Sequence, residues 1–267
     1  MIGLNAVRKG DLEYLVADHI SAPHCFTTRY GGVSEGYLAS MNLGMHRGDK
    51  PENVEENYRI LGKNIGFSLN DLVLTRQTHS DIVRRVGKAD ANGLDNHDYP
   101  ECDALITKEP GVALAVFSAD CTPILLEDPI TGAVGALHAG WRGTAAALAE
   151  KTVQAMVREF GCKPENIRAA LGPNIGPCCF ETDIDVPNAM VEALGESAWE
   201  HITQKNEKYY VNLKTINAAF LRRAGVTQIR CAQECTACEN ERFWSHRVVG
   251  NQRGSQGAII VCKEAAK

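Results

Sequence analysis

The residues with most chemical capacity lie near the middle of the chain, in His138-Ala139-Gly140-Trp141-Arg142-Gly143-Thr144. Here an imidazole able to bind metal or carry a proton stands four residues before a permanently charged guanidinium. Two further groups have comparable capacity: Cys121, which follows Ser118-Ala119-Asp120, and His79, in Gln77-Thr78-His79-Ser80-Asp81. Two imidazoles and one thiolate brought together would make a three-ligand site with an open fourth position, the arrangement that catalytic zinc favours. Cys121 and His138 could equally form a nucleophile and its base, or all three could be hydrogen-bonded core residues. Separations of 42 and 17 residues are not local ligand spacings, so only the fold can decide.

Arg142 has two readings. Just before a helix start it would meet an anion such as phosphate, beside unpaired backbone N–H groups; alternatively its guanidinium covers the Trp141 ring. Cys231, Cys235 and Cys238 contain one CxxC, with His246 the nearest further ligand, and allow a structural zinc, a redox pair or plain packing. Cys178-Cys179 reads as structural, since adjacent side chains are expected to diverge.

Positioning such groups requires rigid elements. Three nearly continuous apolar runs, 112–117, 123–127 and 133–137, predict strands covered on both faces. Cys121 and His138 fall at strand ends. Leu72 to Thr75 and Ile82 to Val86 predict strands on either side of His79, and 26–29, 167–171, 226–231 and 258–262 predict four more. Thr144 is the expected N-cap of a helix whose apolar positions run through Leu148, Val153, Met156, Val157 and Phe160 to Gly161. Further helices are predicted from Pro51 to Gly62 or Gly66, over 186–200 and over 212–224. Residues 33–48, bordered by Arg29 and Asn42, read as a loop presenting side chains, 87–101 as an exposed loop, and the Gly- and Pro-rich 172–181 as a loop of defined shape.

Composition bounds the class. A hydrophobic fraction of 44% supports a packed core, and 267 residues fit a single α/β domain over 1–267. The net charge of −5, without a basic run, argues against nucleic-acid binding. No stretch has the length and apolarity of a membrane span or signal peptide, so a cytoplasmic protein with mostly reduced cysteines is expected, with no specific protein partner.

The ordered segments FTTRYGGVS (26–34), MNLG (41–44), QTHSDIV (77–83), CDALIT (102–107), SADCTPILL (118–126), LHAGWRGT (137–144) and LGPNIGPCCFE (171–181) together resemble the laccase-like, multicopper polyphenol oxidase family, also known as the YfiH family of purine nucleoside phosphorylases. The resemblance implies one α/β domain with two mixed sheets sandwiched between helix layers. It implies zinc on His79, Cys121 and His138, with copper as a possible substitute. It also implies phosphorolysis of adenosine, inosine, guanosine and methylthioadenosine together with adenosine deamination, so that purine nucleosides and phosphate are the expected ligands. Cys121, His138 and Arg142 are then the catalytic candidates. Arg29 and Arg142 are candidates for phosphate, Asn42 for ribose or base, and Arg247 for a substrate contact near the C-terminus. The family's usual Thr-Gly-Arg segment is absent after Arg247, leaving Arg253 to stand in for its arginine.

Two readings compete with this one. In the first, Cys121 attacks an amide, as in a hydrolase that edits peptidoglycan precursors; in the second, the three ligands close a structural metal site in a non-enzymatic binding protein. Multicopper oxidation is least favoured, because eight scattered histidines cannot readily supply several copper centres.

Overall fold

The computed structural model describes residues 3–94 and 100–264. Its two large sheets each have six strands. The first runs Asn5–Lys9, Leu12–Val16, His24–Thr27, Gln256–Val261, Ala113–Ser118 and Leu72–Val73 in spatial order. The second runs Gln228–Cys231, Arg168–Leu171, Thr122–Asp128, Ala133–Ala139, Ala104–Thr107 and Val83–Arg85. Pairing is mostly antiparallel. Each sheet becomes mixed at its edges, where Leu72–Val73 joins Ala113–Ser118, and Val83–Arg85 joins Ala104–Thr107, in parallel.

Side-chain alternation explains the layering. Leu114, Val116, Ala258 and Ile260 of the first sheet meet Leu105, Leu125, Ala136 and Ala170 of the second in one buried cluster. The intervening residues Ala113, Ala115, Ile259 and Val261 point the other way, onto helix Pro51–Ile65. On the far side, Ile106, Ile124 and Leu126 pack against Val153, Met156 and Phe160 of helix Leu148–Phe160 and against Ile216 and Phe220 of helix Leu213–Arg223. The predicted sandwich of two mixed sheets between helices is therefore the observed one. It also explains why the central strands Ala113–Ser118, Thr122–Asp128 and Ala133–Ala139 read as unbroken apolar runs, since both of their faces are covered.

Helix Pro51–Ile65 buries Val54, Tyr58, Leu61 and Ile65, a spacing of one helical stripe, and stops at Gly66 in the left-handed region. The helix predicted after Thr144 differs in its start. Gly140 is the N-cap of a short helix Trp141–Ala145, Ala147 adopts a left-handed conformation, and only then does Leu148–Phe160 begin. Thr144 is thus an interior residue, its hydroxyl accepting a bond from Asn217 Nδ2 at 2.8 Å. Similarly, the element predicted over 186–200 divides at Gly195 into helix Asp185–Leu194 and a 3₁₀ segment Glu196–His201.

Two hairpins lie beyond the predicted strands, Asn5–Lys9 with Leu12–Val16 and Ile202–Lys205 with Lys208–Val211. Their edge strands, Asn5–Lys9 and Ile202–Lys205, carry charged and amide side chains and are largely exposed, so apolar alternation is weak there. The predicted 33–48 loop contains one 3₁₀ turn, Gly36–Leu38, and is fixed from beneath by buried Asn57, which binds Val33 N, Ser34 Oγ and the Asn42 carbonyl. Of the predicted 87–101 loop, residues 95–99 lie outside the described residues.

Glu13 ties the first sheet to the C-terminal segment. Its buried carboxylate accepts from Arg242 Nε and Arg8 Nε, each at 2.7 Å. Burial opposes its charge, but Arg242 and then Arg8 outweigh that cost and hold its pKa below the ordinary 4.5. A depressed carboxyl pKa means that the stabilisation is complete above pH 4.5 and is lost as pH falls through the folded-state value. Glu13→Gln should cost about 1–3 kcal/mol at pH 7 in urea unfolding and flatten the acid limb of the stability profile. An unchanged midpoint and acid limb would contradict this role.

Candidate functional site

The chain passes from the first sheet to the second at two places that matter. Residues 74–82 connect Leu72–Val73 to Val83–Arg85 and carry His79; Ala119-Asp120-Cys121 connect Ala113–Ser118 to Thr122–Asp128. His138 lies on Ala133–Ala139, in register with Pro123, so it stands beside the second crossover. The seam between the sheets therefore gathers three residues that are distant in sequence. Their ligand atoms all lie within 4.8 Å of one another, and the two imidazole centroids are 5.0 Å apart at 71°.

Asp103 orders this cluster. One carboxylate oxygen meets His138 Nδ1 at 2.8 Å, which leaves Nε2 as the nitrogen available to a metal. The other accepts from Thr78 N at 3.1 Å, Ser80 N at 2.7 Å and Ser80 Oγ at 2.8 Å, and so grips the turn that presents His79. Burial disfavours a charged His138, but the Cys121 sulfur and the Asp103 carboxylate outweigh it and raise its pKa to about 9. His79 is shifted the other way, by burial and by the neighbouring His138. A metal needs neutral imidazoles, so metal uptake at neutral pH would expel the His138 proton.

The backbone is also specialised. His79 and Asp120 both have positive φ, 59° and 86°, a conformation costing non-glycine residues about 1–3 kcal/mol. Asp120 is held there by Thr236 Oγ1 and by Arg247 N, each at 2.6 Å from its carboxylate, and by Ile175 N bonding its carbonyl. Gly140 faces the ligands directly. A Cβ there would fall 2.5 Å from His79 Nδ1 and 3.0 Å from Cys121 Sγ. Gln77 completes the frame through a two-way amide pairing with the backbone of Phe117, both bonds at 2.7 Å.

The cluster opens into a cavity of about 800 Å³, walled by Phe117, Trp141 and Phe180 and by the cationic residues Arg47, Arg247 and Arg253, together with Arg76, which is paired with Glu101. That volume suits a small organic ligand. Desolvation, then the proximity of Arg47, lower the Arg253 pKa to about 10, so an anion between them would relieve the repulsion.

The predicted site residues separate into two groups. His79, Cys121, His138 and Arg247 line the cavity. Arg29, Asn42 and Arg142 are not among its lining residues. Arg29 stacks on Trp244 at 3.9 Å and donates to the Asn240 and Ala39 carbonyls. Asn42 is fully buried and binds Gly44, Asp49 and Ser255, organising the loop that supplies Arg47. Arg142 is exposed, with its guanidinium 4.3 Å from the Trp141 ring centroid. The one-turn helix Trp141–Ala145 also gives it little dipole to share. Asp103, Asp120 and Arg47 have no counterpart among the expected site residues. An acid directly preceding the buried run Ala104–Thr107 is the signal for Asp103, because a carboxylate enters a core only when several donors satisfy it.

The donors present, two nitrogens and one sulfur, suit borderline-soft zinc, and the His138–Asp103 pair is the usual support for such a ligand. Asp103→Asn should weaken zinc affinity by about 10–100-fold, as read by competition with a chromophoric chelator. Gly140→Ala should abolish tight binding in the same assay. Unaltered affinity in both variants would remove the three side chains as a metal centre.

Comparison with known proteins agrees with this architecture. The family model described as multi-copper polyphenol oxidoreductase laccase matches residues 23–263. A purine nucleoside phosphorylase of Deinococcus radiodurans is 38% identical over 249 residues, covering 93% of this chain and 92% of its own. The purine nucleoside phosphorylase YlmD of Geobacillus stearothermophilus is 38% identical over 240 residues, covering 88% and 86%. The crystal structure of the Bacillus licheniformis hypothetical protein YfiH superposes with a TM-score of 0.91 at 32% identity, covering 97% of this chain and 99% of that one. No helix among the described residues is long and apolar enough to cross a membrane. By sequence and fold alike, the chain belongs to the multi-copper polyphenol oxidoreductase laccase family, alongside YfiH and YlmD.

Proposed function

We propose that the cavity binds a purine nucleoside together with phosphate and cleaves the N-glycosidic bond by phosphorolysis. The observation that carries this reading is the meeting, in one cavity, of a two-nitrogen, one-sulfur cluster with a wall that carries Arg47, Arg247 and Arg253. The names of the relatives supply the reaction class. Phosphate would lie between Arg47 and Arg253, where it offsets their repulsion, with Arg247 on the same wall. A planar base would pack against Phe117, Trp141 or Phe180, which line the same space. Asp103 keeps His138 in one orientation, and the absence of a side chain at Gly140 leaves room for His79 and Cys121.

Adenosine, inosine, guanosine and methylthioadenosine are the expected nucleosides, with adenosine deamination as a second activity of the same pocket. Zinc, or copper in its place, would be held by His79, Cys121 and His138 and would supply Lewis acidity suited to activating water for attack at a purine C6. Arg29, Arg142 and Asn42 act in this reading through the frame, not on substrate.

One observation favours a second reading. Cys121, His138 and Asp103 stand in hydrogen-bonded succession, the order of a thiol nucleophile, its base and the group that orients the base. Such a triad would serve a cysteine hydrolase, including one acting on a peptidoglycan precursor, only while the sulfur is not a metal ligand. Protection of Cys121 from alkylation by stoichiometric zinc separates the two.

With adenosine and phosphate, the wild type should release adenine and ribose 1-phosphate. His138→Ala should reduce that rate by at least about 100-fold. Arg253→Ala should raise the phosphate KM by about 10–100-fold, the value of one charged hydrogen bond, with a smaller effect on the nucleoside KM. Equal activity in wild type and His138→Ala would sink the proposed site.

A further inference from the structure

Outside the cavity cluster, a second group of soft ligands comes together on the adjoining surface. The sulfurs of Cys178, Cys179, Cys235 and Cys238 all lie within 4.8 Å of one another. Cys238 Sγ is 3.5 Å from Cys178 Sγ and 3.4 Å from Cys179 Sγ, and all four are free thiols. Those separations are far beyond a disulfide bond of about 2.05 Å. They are close to the roughly 3.8 Å between sulfurs of a tetrahedral site with bonds of about 2.3 Å.

The local backbone explains how adjacent cysteines can share a target. Cys179 N and Phe180 N both bond the Gly176 carbonyl, at 3.0 and 2.9 Å, so Pro177 to Cys179 form a single helical turn. Successive side chains on such a turn diverge by about 100°, not by the 180° of a strand. Both sulfurs can then face one side. Cys235 and Cys238 supply the CxxC spacing opposite them, and Gly176 N donates to Cys235 Sγ at 3.1 Å, the kind of amide contact that supports a thiolate ligand. The buried Lys214 ammonium, held by the Ala232 and Glu234 carbonyls, lies near enough to interact with Cys235 and Cys178 and to offset negative charge there.

We propose that Cys178, Cys179, Cys235 and Cys238 bind a structural zinc ion that clamps the 172–181 loop to the segment around residues 235–238. Binding releases the four thiol protons to solvent and forms four zinc–sulfur bonds, with no change in oxidation state. The site is distinct from the cavity cluster in donor set and position, and it is independent of the nucleoside reading. Its effect reaches the cavity through the backbone. Thr236, next to Cys235, donates to Asp120; Ile175, next to Gly176, bonds the Asp120 carbonyl; and Arg247 donates to the carbonyls of Cys179 and Glu181. The clamp therefore holds both Asp120, which precedes Cys121, and the guanidinium of Arg247.

The test uses the full chain with His138→Ala, which removes a ligand of the cavity cluster only. After loading with zinc and dialysis against a weak chelator, this variant should retain one zinc per chain. Its zinc-edge absorption should fit four sulfur neighbours at about 2.3 Å. Adding Cys235→Ser and Cys238→Ser to His138→Ala should remove the remaining zinc, with circular dichroism verifying that the chain stays folded. A wild type carrying two zinc ions supports the same conclusion. No retained zinc in His138→Ala, a mixed nitrogen and sulfur shell, or the four cysteines recovered as disulfides by mass spectrometry of the freshly purified chain would each overturn the proposal, as would iron–sulfur absorbance in place of zinc.

Discussion

The Asp103 carboxylate is the constraint on which the candidate site depends. A buried carboxylate is costly unless each of its oxygens is satisfied, and here four donors converge on it: the His138 ring, two backbone amides and the Ser80 hydroxyl. Burial raises its pKa, but the His138 contact and the Ser80 donors prevail and hold it below the ordinary value. The same bonds fix one imidazole by its ring and the other through the turn at Thr78 to Ser80. A single charge thus converts two flexible side chains on separate segments into one rigid pair.

Strained backbone sits where the chain changes sheets. His79 and Asp120, the two positive-φ residues beside the ligands, sit on the two crossovers, while regular strands and helices carry the bulk of the apolar contacts. The sandwich supplies enough packing to hold these strained positions, which is the usual division between scaffold and site. Gly140 belongs to the same arrangement, because only a residue without Cβ leaves room for the ligands in front of it.

Much of the scaffold was legible in the sequence. The apolar runs at 112–117, 123–127 and 133–137 identify the central strands because both faces of those strands are buried, and the stripe after Pro51 identifies its helix to within a turn. The edge hairpins leave no such signature, since strands such as Ile202–Lys205 carry little apolar content. Spacing alone could not gather His79, Cys121 and His138, because each arrives from a different crossover or strand; the family motifs singled them out, and the fold places them together. A guanidinium can reach a cavity or lie on an aromatic ring from the same sequence position, and Arg29 and Arg142 take the second course. The cysteines at 178 and 179 resisted for a local reason, because the divergence expected of neighbours in a strand does not hold on a helical turn.

The two crossovers have a consequence for assembly. Since His79 and Cys121 leave the first sheet and are completed by His138 of the second, neither sheet alone contains the cluster. Any ligand that binds it favours the docked pair of sheets over every state in which they have separated. Its binding free energy is thereby coupled to the interface of Leu114, Val116, Leu125 and Ala136, residues outside the cluster. Occupancy of the centre and cohesion of the two halves become one equilibrium, so the molecule carries in its chemistry a report on whether it is fully assembled.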